Sequence, residues 1–490
     1  MSELLAALSR FGAFRSLVIG DFMLDELVHG EASRLSPDAP VPVLRVERTE
    51  RHGGGASNVA ACMAELGGLV TCCGVVGGDS AGAHLTRSLE SSGCSTDGIV
   101  IDADRPTTVK QGLVGLAQDR HRQKMFRVDI ESQAPLSSST SEALDKKIES
   151  LLAHAEVICI EDYGKGVCSP ERCAAIITAA SQHDLPVMVD PAAIVDYDRY
   201  RGATVMTPNL TEARRACANW PGTPDSPEDM AVAMLDRLDL QAIVITLDRH
   251  GALLLERGGT PQTIPTIPRD VYDVSGAGDM VLAALAAGRA HHLSWPDCVL
   301  LANAAAGLEV ERFGAQPIPL PPIVREVLRM TSTIEGKVRD RQAMAVELAA
   351  HRDAGHRVVL TNGCFDVIHA GHVAYLRDAR SQGDVLVVGV NVDDQVHAMK
   401  GEGRPVYRLE DRMAILSELA CVDFVVAFDE PTAHQLIDEL MPDLYVKGGD
   451  YAPEEIAEYE HLIARGIDCH VLAHRPGLGS TDVIDHLRQY

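Results

Sequence analysis

Two segments of the chain hold residue types at spacings that suit phosphate chemistry. The first is DVSGAGDM, Asp273 to Met280, which runs straight into the helix-prone VLAALAAGRAHH. Gly276 and Gly278 permit close backbone approach, and the first N–H groups of a helix have no partner within it, so they face an anion well. Asp279 falls in that first turn. A carboxylate there can take the proton of an attacking hydroxyl while the amides of Gly276, Ala277 and Gly278 neutralise a phosphoryl group in transfer. The competing reading is a small-residue loop with a capping Asp. No G-x-x-x-x-G-K-[ST] occurs, so phosphoryl transfer here would run without a P-loop.

The second segment is TNGCFDVIHAGHVAYLRDAR, Thr361 to Arg380. An apolar strand runs into Asn-Gly, and a helix opens at His369-Ala370-Gly371-His372. Histidines at this spacing share one helix face, at the end where the dipole and the unpaired amides favour phosphate. Two imidazoles can donate hydrogen bonds to the α- and β-phosphates of a nucleoside triphosphate, and Gly371 leaves room for it. The attacking oxygen would belong to a phosphate on the substrate, so no nucleophilic side chain is needed. A metal site would want a third ligand and usually H-E-x-x-H spacing, which is missing. Plain capping by the two histidines is the other alternative.

These residues need elements to position them. Strand-length apolar runs alternate with helical patterns: LVIGD ending at Asp21, VICIED at Asp162, PVMVD at Asp190, TVMTPN at Asn209 and AIVITLD at Asp248. Such runs suit strands buried on both faces, and their polar ends fall at the sheet edge where α/β proteins bind ligands. GALLLERGGTPQTIPTIP reads as two short antiparallel strands around a Gly-rich turn. HGGGASNVA (His52 to Ala60) and GVVGGDSAG (Gly74 to Gly82) are further glycine clusters opening helices. Pro317, Pro319, Pro321 and Pro322 mark a break, followed by a charged, helix-prone stretch. A second strand set follows: RVVLTNG, DVLVVGVNV, FVVAF, DLYVKGG and CHVLAH. The expected architecture is α/β, with two tandem domains over residues 1–318 and 346–490 and a linker at 319–345.

Composition agrees. A chain of 490 residues exceeds one hydrophobic core. Lys and Arg total 44 against 70 Asp and Glu, a formal net charge of −26, which argues against duplex nucleic acid or an anionic membrane as partner. No apolar run approaches the ~20 residues of a membrane helix. Glu3, Arg10 and Arg15 interrupt the start, so a signal peptide is not expected. The 12 cysteines contain no C-x-x-C, which suits neither a zinc framework nor a disulfide scaffold. A cytoplasmic enzyme is expected.

Strand-Gly-Asp with Asp25 beyond it, then GGGASNVA, GVVGGDSAG, EDYGKG, VDP, TPNLTE and DVSGAGD, form a series that resembles the ribokinase-like sugar kinases over residues 11 to 318. The resemblance implies an α/β sandwich with a small β lid. It makes Asp279 the catalytic base and Gly276, Ala277 and Gly278 the anion hole. Asn209, Leu210, Thr211 and Glu212 fall on the nucleotide and Mg2+ side, with Thr246 to Gly251 as the nucleotide-side loop. Asp25, Gly53, Gly54 and Asn58 match sugar-hydroxyl contacts. Asp162 and Lys165 of EDYGKG follow a buried strand and are read as substrate contacts, with a surface ion pair as the alternative. Lys110 and Arg127 supply clamps for a phosphate already on the sugar. One departure stands out: the family pattern carries an Arg where this chain has Gly112. Either Arg127 or another basic residue takes over, or the phosphate end is held differently.

The T-x-G-x-F-D-x-x-H-x-G-H series resembles the cytidylyltransferase-like nucleotidyltransferases over residues 350 to 490, which implies a Rossmann-like domain. On that resemblance Thr361, Gly363, Phe365 and Asp366 line the nucleotide, and His369 and His372 serve nucleotidyl transfer. Lys400 and Arg404 face the triphosphate, and Ser480 and Thr481 supply a late contact, with Asp482 where the family has a third hydroxyl residue. A kinase ahead of a nucleotidyltransferase, with ANAAAGLEVERFGA before the junction and KGGDY after it, resembles the bifunctional heptose-7-phosphate kinase and heptose-1-phosphate adenylyltransferase family. That implies ATP as substrate of both domains, Mg2+, sugar phosphates as partners and a homodimer. It also implies the ADP-heptose route to the lipopolysaccharide core. The alternatives are a kinase and cytidylyltransferase for another sugar or polyol phosphate, and a non-catalytic regulator with a decayed site.

Overall fold

Runs such as LVIG, VICI and AIVIT place apolar, often β-branched, side chains at consecutive positions, which only a strand covered on both faces can bury. In the computed structural model they are inner strands of a parallel sheet. The structure describes residues 4, 7–8, 11–116, 123–220, 222, 224–267, 275–312, 314–331, 336–353, 355–449 and 452–472. The chain forms two compact units, one of Phe11–Met330 and one of Thr331–Tyr490 together with Met1–Arg10; the former is described first.

The first unit contains β1 (Phe14–Gly20), β2 (Phe22–Leu35), β3 (Pro42–Gly55), β4 (Gly68–Gly77), β5 (Ser95–Asp102), β6 (Thr108–Leu116) and β7 (Gln123–Ile130). It continues with β8 (Val157–Glu161), β9 (Val187–Asp190), β10 (Val205–Met206), β11 (Ala242–Thr246), β12 (Ala252–Glu256) and β13 (Gln262–Ile264). The main sheet runs β5-β4-β1-β8-β9-β10-β11, every neighbour parallel. β12 and β13 continue it antiparallel, as the turn-containing segment GALLLERGGTPQTIPTIP leads one to expect. Leu17, Ile19, Ile158, Ile160, Ile243 and Ile245 lie in one buried cluster with helix residues such as Ile176 and Met234. A separate four-stranded sheet, β3-β2-β6-β7, is the small lid.

Alanines and glycines make the helix Ala277–Ala290 slim and apolar all round, and Met280 to Gly288 are all buried. It packs against the helix Trp295–Glu309. Because the parallel strands share one direction, Asp21, Glu161 and Asp190 arrive at the same edge of the sheet as the start of that helix.

The second unit contains β14 (Val338–Arg339), β15 (Val358–Gly363), β16 (Val385–Asn391), β17 (Phe424–Phe428), β18 (Leu444–Gly448) and β19 (Asp468–Leu472). All neighbours are parallel in the order β14-β17-β16-β15-β18-β19. The order reverses at β15, the kind of switch point where doubly wound sheets bind nucleotides.

The stretch 319–345 differs from a linker. Most of it is helix Leu320–Thr331, β14 and the start of helix Arg341–Asp353. Pro321 and Pro322 lie in the first turn of their helix, where a missing N–H costs nothing. Ile323 and Val327, one turn apart, are fully buried. The prolines start an element of the first unit rather than ending it.

Candidate active sites

In the first unit, Asp279 sits in the first turn of helix Ala277–Ala290, behind an N-cap Gly276 with φ 92°. Only glycine holds that left-handed conformation without penalty. A Cβ at Gly276 would also lie 2.5 Å from Glu309 Oε1 and 2.9 Å from Asn58 Nδ2. The Asp279 carboxylate is buried; its Oδ2 accepts from Asn58 Nδ2 at 2.8 Å, and Tyr163 OH lies 3.5 Å from Oδ1. Burial pushes its pKa up to about 7. The Asn58 bond, Lys110 and Tyr163 oppose the rise, and Asp25 adds to it. A carboxylate poised near neutrality is what a general base for a hydroxyl requires. Residues 271–274, the start of DVSGAGDM, lie outside the described residues.

Glu161 and Asp190 are partners in the β8–β9 register, so their side chains project together at the sheet edge. Oxygens of Glu161, Asp190 and Asp279 all lie within 4.8 Å of one another. Burial and mutual repulsion hold Glu161 and Asp190 well above the usual carboxylate range. Thr207 Oγ1 donates to Asp190 Oδ1 at 3.1 Å, whereas Glu161 Oε2 is buried with no hydrogen-bond partner among the described residues. Three carboxylates this close must share protons or take a cation. An all-oxygen donor set with one orphaned oxygen fits a hard divalent ion such as Mg2+.

Toward the lid, Asp25 on β2 pairs in register with Lys110 on β6. A Cβ at Gly54 would meet the Asp25 carboxylate at 2.7 Å, and one at Gly53 would meet Ser57 Cβ at 2.8 Å. Asp25 Oδ1 is buried without a hydrogen-bond partner among the described residues. Burial raises the pKa of Asp25 against the pull of Lys110, Arg127 and His52. Lys110 Nζ stands 4.2 Å from the centre of the Tyr163 ring. The Gly112 departure has a structural counterpart: Arg127 lies directly opposite Gly112 in the β6–β7 ladder and forks onto Asp129 at 2.7 and 2.8 Å. Lys110 and Arg127 thus act on the Asp25 carboxylate, and Asp25 and Lys110 in turn on that of Asp279.

Asp162 and Lys165 do not pair with each other. Asp162 accepts from Tyr200 OH at 2.7 Å, Gly164 N at 2.7 Å and Arg199 Nη1 at 3.3 Å, while Lys165 Nζ pairs with Glu131 at 2.6 Å. Asp21 holds their loop, accepting from the N–H groups of Tyr163 and Lys165 at 2.9 and 3.0 Å.

On the nucleotide side, Asn209 caps helix Leu210–Cys217, with Leu210 and Thr211 in its first turn. Asn209 Oδ1 accepts from Glu212 N and Glu212 Oε2 from Asn209 N, both at 2.9 Å. Asn209 also bridges to Thr246, which brings the TPNLTE turn against the loop ending at Gly251, itself at φ 88°.

In the second unit the two histidines form a reciprocal cap. His369 Nδ1 accepts from Gly371 N at 3.1 Å, and His372 Nδ1 accepts from His369 N at 3.4 Å, the rings 3.9 Å apart. A neutral imidazole whose Nδ1 accepts carries its proton on Nε2, so the cap leaves Nε2–H as the donor on both rings. Phe365 adopts φ 46°, a strained value for a bulky side chain, and its ring lies 5.4 Å from that of His372. Gly363 gives the ring room: a Cβ there would meet it at 3.2 Å. Thr361 Oγ1 bonds Tyr375 OH at 2.6 Å. Asp366 accepts from Arg404 Nη1 and Val406 N, both at 2.5 Å, tying the loop after β15 to the MKGEGRP turn. Lys400 ends helix Asp393–Lys400 and is exposed. Ser480, Thr481 and Asp482 lie outside the described residues.

The pfkB family carbohydrate kinase model matches residues 14–322, and the cytidylyltransferase-like model matches residues 360–486. Along nearly the whole length the chain is similar to curated proteins named bifunctional protein HldE. The one from Pelobacter propionicus is 40% identical, covering 98% of this chain and 97% of its own. That from Pseudomonas aeruginosa is 40% identical over 99% of both. The chain belongs to the bifunctional HldE family. It is a sugar kinase fused to a nucleotidyltransferase. The Escherichia coli phosphofructokinase-2 structure in complex with potassium shares the fold of the first unit. Its TM-score is 0.53 at 18% identity, over 65% of this chain and all of that one.

Several residues around these HldE-family sites are not singled out by sequence reasoning. Glu161 hides inside the apolar VICIED, although a carboxylate at a strand end on the ligand edge is a usable signal. Glu309 closes an apolar helix and gives no such sign. Lys447 on β18 is half-buried, and partial loss of solvent lowers its pKa; its Nζ donates to Asn362 Oδ1 at 2.7 Å, behind the Asn-Gly turn. Arg412 is fully buried and donates to the Cys364 and Tyr407 carbonyls and to Asp393. A lone Arg in a helix reads as surface until the loop it braces is known.

Proposed function

We propose that the first unit phosphorylates the anomeric hydroxyl of D-glycero-β-D-manno-heptose 7-phosphate from ATP, and that the second transfers AMP from ATP to heptose 1-phosphate. The products are ADP-heptose, for the lipopolysaccharide core, and pyrophosphate. The observation that carries this is the pairing of a base-bearing anion hole with a two-histidine nucleotide turn in one chain that is HldE-like end to end.

In the kinase step Asp279 takes the proton as the sugar oxygen attacks the γ-phosphorus and ADP leaves. The amides of Gly276, Ala277 and Gly278 face the transferring group. Asp25 accepts from a sugar hydroxyl, and Lys110 and Arg127 clamp the 7-phosphate. Glu161, Asp190 and Glu212 are the residues we assign to Mg2+, which would screen phosphate charge. In the second step an oxygen of the 1-phosphate attacks the α-phosphorus. The Nε2–H groups of His369 and His372 donate to the phosphates as pyrophosphate departs, with Lys400 and Arg404 nearby in sequence for the triphosphate.

A homodimer through the lid accompanies this reading. Phe126, Val128 and Ile130 alternate along β7, so they share one face of the lid, and all three are exposed. Among the described residues no helix is long and apolar enough to cross a membrane.

The test is product analysis with ATP, Mg2+ and heptose 7-phosphate, with and without a phosphatase specific for the 7-phosphate. The expected products are a bisphosphate and ADP alone, then ADP-heptose and pyrophosphate when the phosphatase is present. Nucleotide-sugar formation from CTP and not from ATP would overturn the adenylyl assignment.

A further inference from the structure

Glu309 ends the helix Trp295–Glu309 with its side chain turned inward, 1% exposed. Neither carboxyl oxygen completes a well-aligned hydrogen bond among the described residues. Burial and the neighbouring Asp279 push its pKa up to about 8, while the Gln316 backbone N–H, the Asn58 amide and Arg312 pull it down. A carboxyl in such surroundings is costly; an apolar side chain of similar shape is commonly neutral or stabilising in its place.

What Glu309 faces is the kinase machinery. The point where a Gly276 Cβ would stand is 2.5 Å from Glu309 Oε1, 2.8 Å from Ala315 Cβ and 2.9 Å from Asn58 Nδ2. Glu309 and Asn58 therefore flank the left-handed glycine that opens the helix bearing Asp279. The Asn58 amide nitrogen has two hydrogens. One serves Asp279 Oδ2 at 2.8 Å, which leaves the second for the neighbouring Glu309, whose pKa the Asn58 amide pulls down. Among the described residues the Asn58 carbonyl end meets Cys62 Sγ at 3.9 Å, too weak a contact to fix the amide's rotation.

We propose that Glu309 is a positioning residue for phosphoryl transfer: it holds the Asn58 amide nitrogen against Asp279 and backs the Gly276 turn. Asp279 then keeps Oδ2 engaged and Oδ1 aimed at the substrate hydroxyl. This rests on Asp279 being the base. Because Glu309 touches neither substrate nor nucleotide, its loss should appear in turnover and not in binding.

The full-length chain carrying Glu309→Leu or Glu309→Gln is assayed for both activities and for Tm. Glu309→Leu should keep or raise Tm and leave both KM values within about twofold. Its kinase kcat should fall about tenfold or more, the effect of a slightly misplaced catalytic group. Glu309→Gln keeps an oxygen for Asn58 and should restore kcat to within about threefold, with adenylyl transfer unchanged in both variants. Parental kcat in Glu309→Leu, an equal loss in both variants, or a loss confined to KM would overturn the proposal. Should Glu309→Leu not fold, Glu309→Ala is compared in the parent and in an Asn58→Ala background. The expected result is a loss only where Asn58 is present; the same loss in both backgrounds overturns the role. An Asp279→Asn chain with parental turnover would remove the base itself, a failure distinguishable from that of Glu309.

Discussion

With Asp279 as the base we propose, activity and stability should run in opposite directions with pH. Its folded pKa, near 7, stands above the ordinary 3.8, so the folded chain keeps a proton that the unfolded chain has released. Stability from this group is present on the acid side and is lost as pH rises through the folded value, where the ionised base becomes competent. Asp279→Asn should cut kinase turnover by about 10²-fold or more with ATP binding little changed. It should also raise Tm more at about pH 8 than at about pH 5, because only the higher pH carries the buried charge. A uniform shift in Tm, or near-normal turnover, contradicts the assignment. In the other unit, His372→Ala should lower adenylyl transfer by roughly 10²- to 10³-fold, the scale for losing one oxyanion-type donor. KM for the sugar 1-phosphate should move less, and added zinc should not rescue the loss. A change confined to that KM would displace the triphosphate from the histidines. Asp279, His369 and His372 are legible in the sequence because glycines and a helix start flank them. Glu161 and Glu309 are not, since each looks like the end of an apolar element. Their meeting with Asp279 depends on strand register and helix packing.

The elements were legible in proportion to their burial. Inner strands announce themselves by unbroken apolar runs, whereas the lid strands β3 and β7 are largely exposed and β2 and β6 carry charged or amide residues such as Asp25, Glu26, Lys110 and Gln111, so the lid has no such signature. In the reading proposed above the lid completes the sugar side of the site, with Arg127 set across from Gly112 by the pairing of β6 with β7. An arginine delivered by the neighbouring strand is invisible to a motif that looks two residues along the same one. Arg127→Ala should raise KM for the 7-phosphate substrate by about tenfold or more, as expected for a bidentate phosphate clamp. Tm should barely change, since its partner pair with Asp129 is largely exposed and worth little. A variant that loses kcat and keeps its KM would place the phosphate elsewhere. TPNLTE carries a different lesson. Asn209 and Glu212 read as ligand residues, yet they also satisfy each other as a capping box. The Pro-rich stretch was read as a break because prolines end helices, though they also begin them.

At the scale of the molecule, each unit has its own sheet and its own core clusters. Residues 1–330 should therefore phosphorylate the sugar with no second unit present; a soluble, folded but inactive fragment would mean a composite site. The tandem organisation itself was legible, since each strand set carries its own nucleotide motif. The main sheet also dictates an order of events during synthesis. β1 is an inner strand, covered on one side by β4 and on the other by β8. β4 follows within a few dozen residues, but β8 ends only at Glu161. A ribosome adding 5–20 residues per second leaves that flank of β1 uncovered for roughly 4–17 seconds after β4 is made. For that interval the nascent chain presents an open, apolar parallel edge, the sort of surface that holding chaperones bind and that aggregates form on. The strand that finally covers it also delivers Glu161 to the sheet edge that Asp190 and Asp279 join later in synthesis, so covering β1 is the first step in assembling the acidic site.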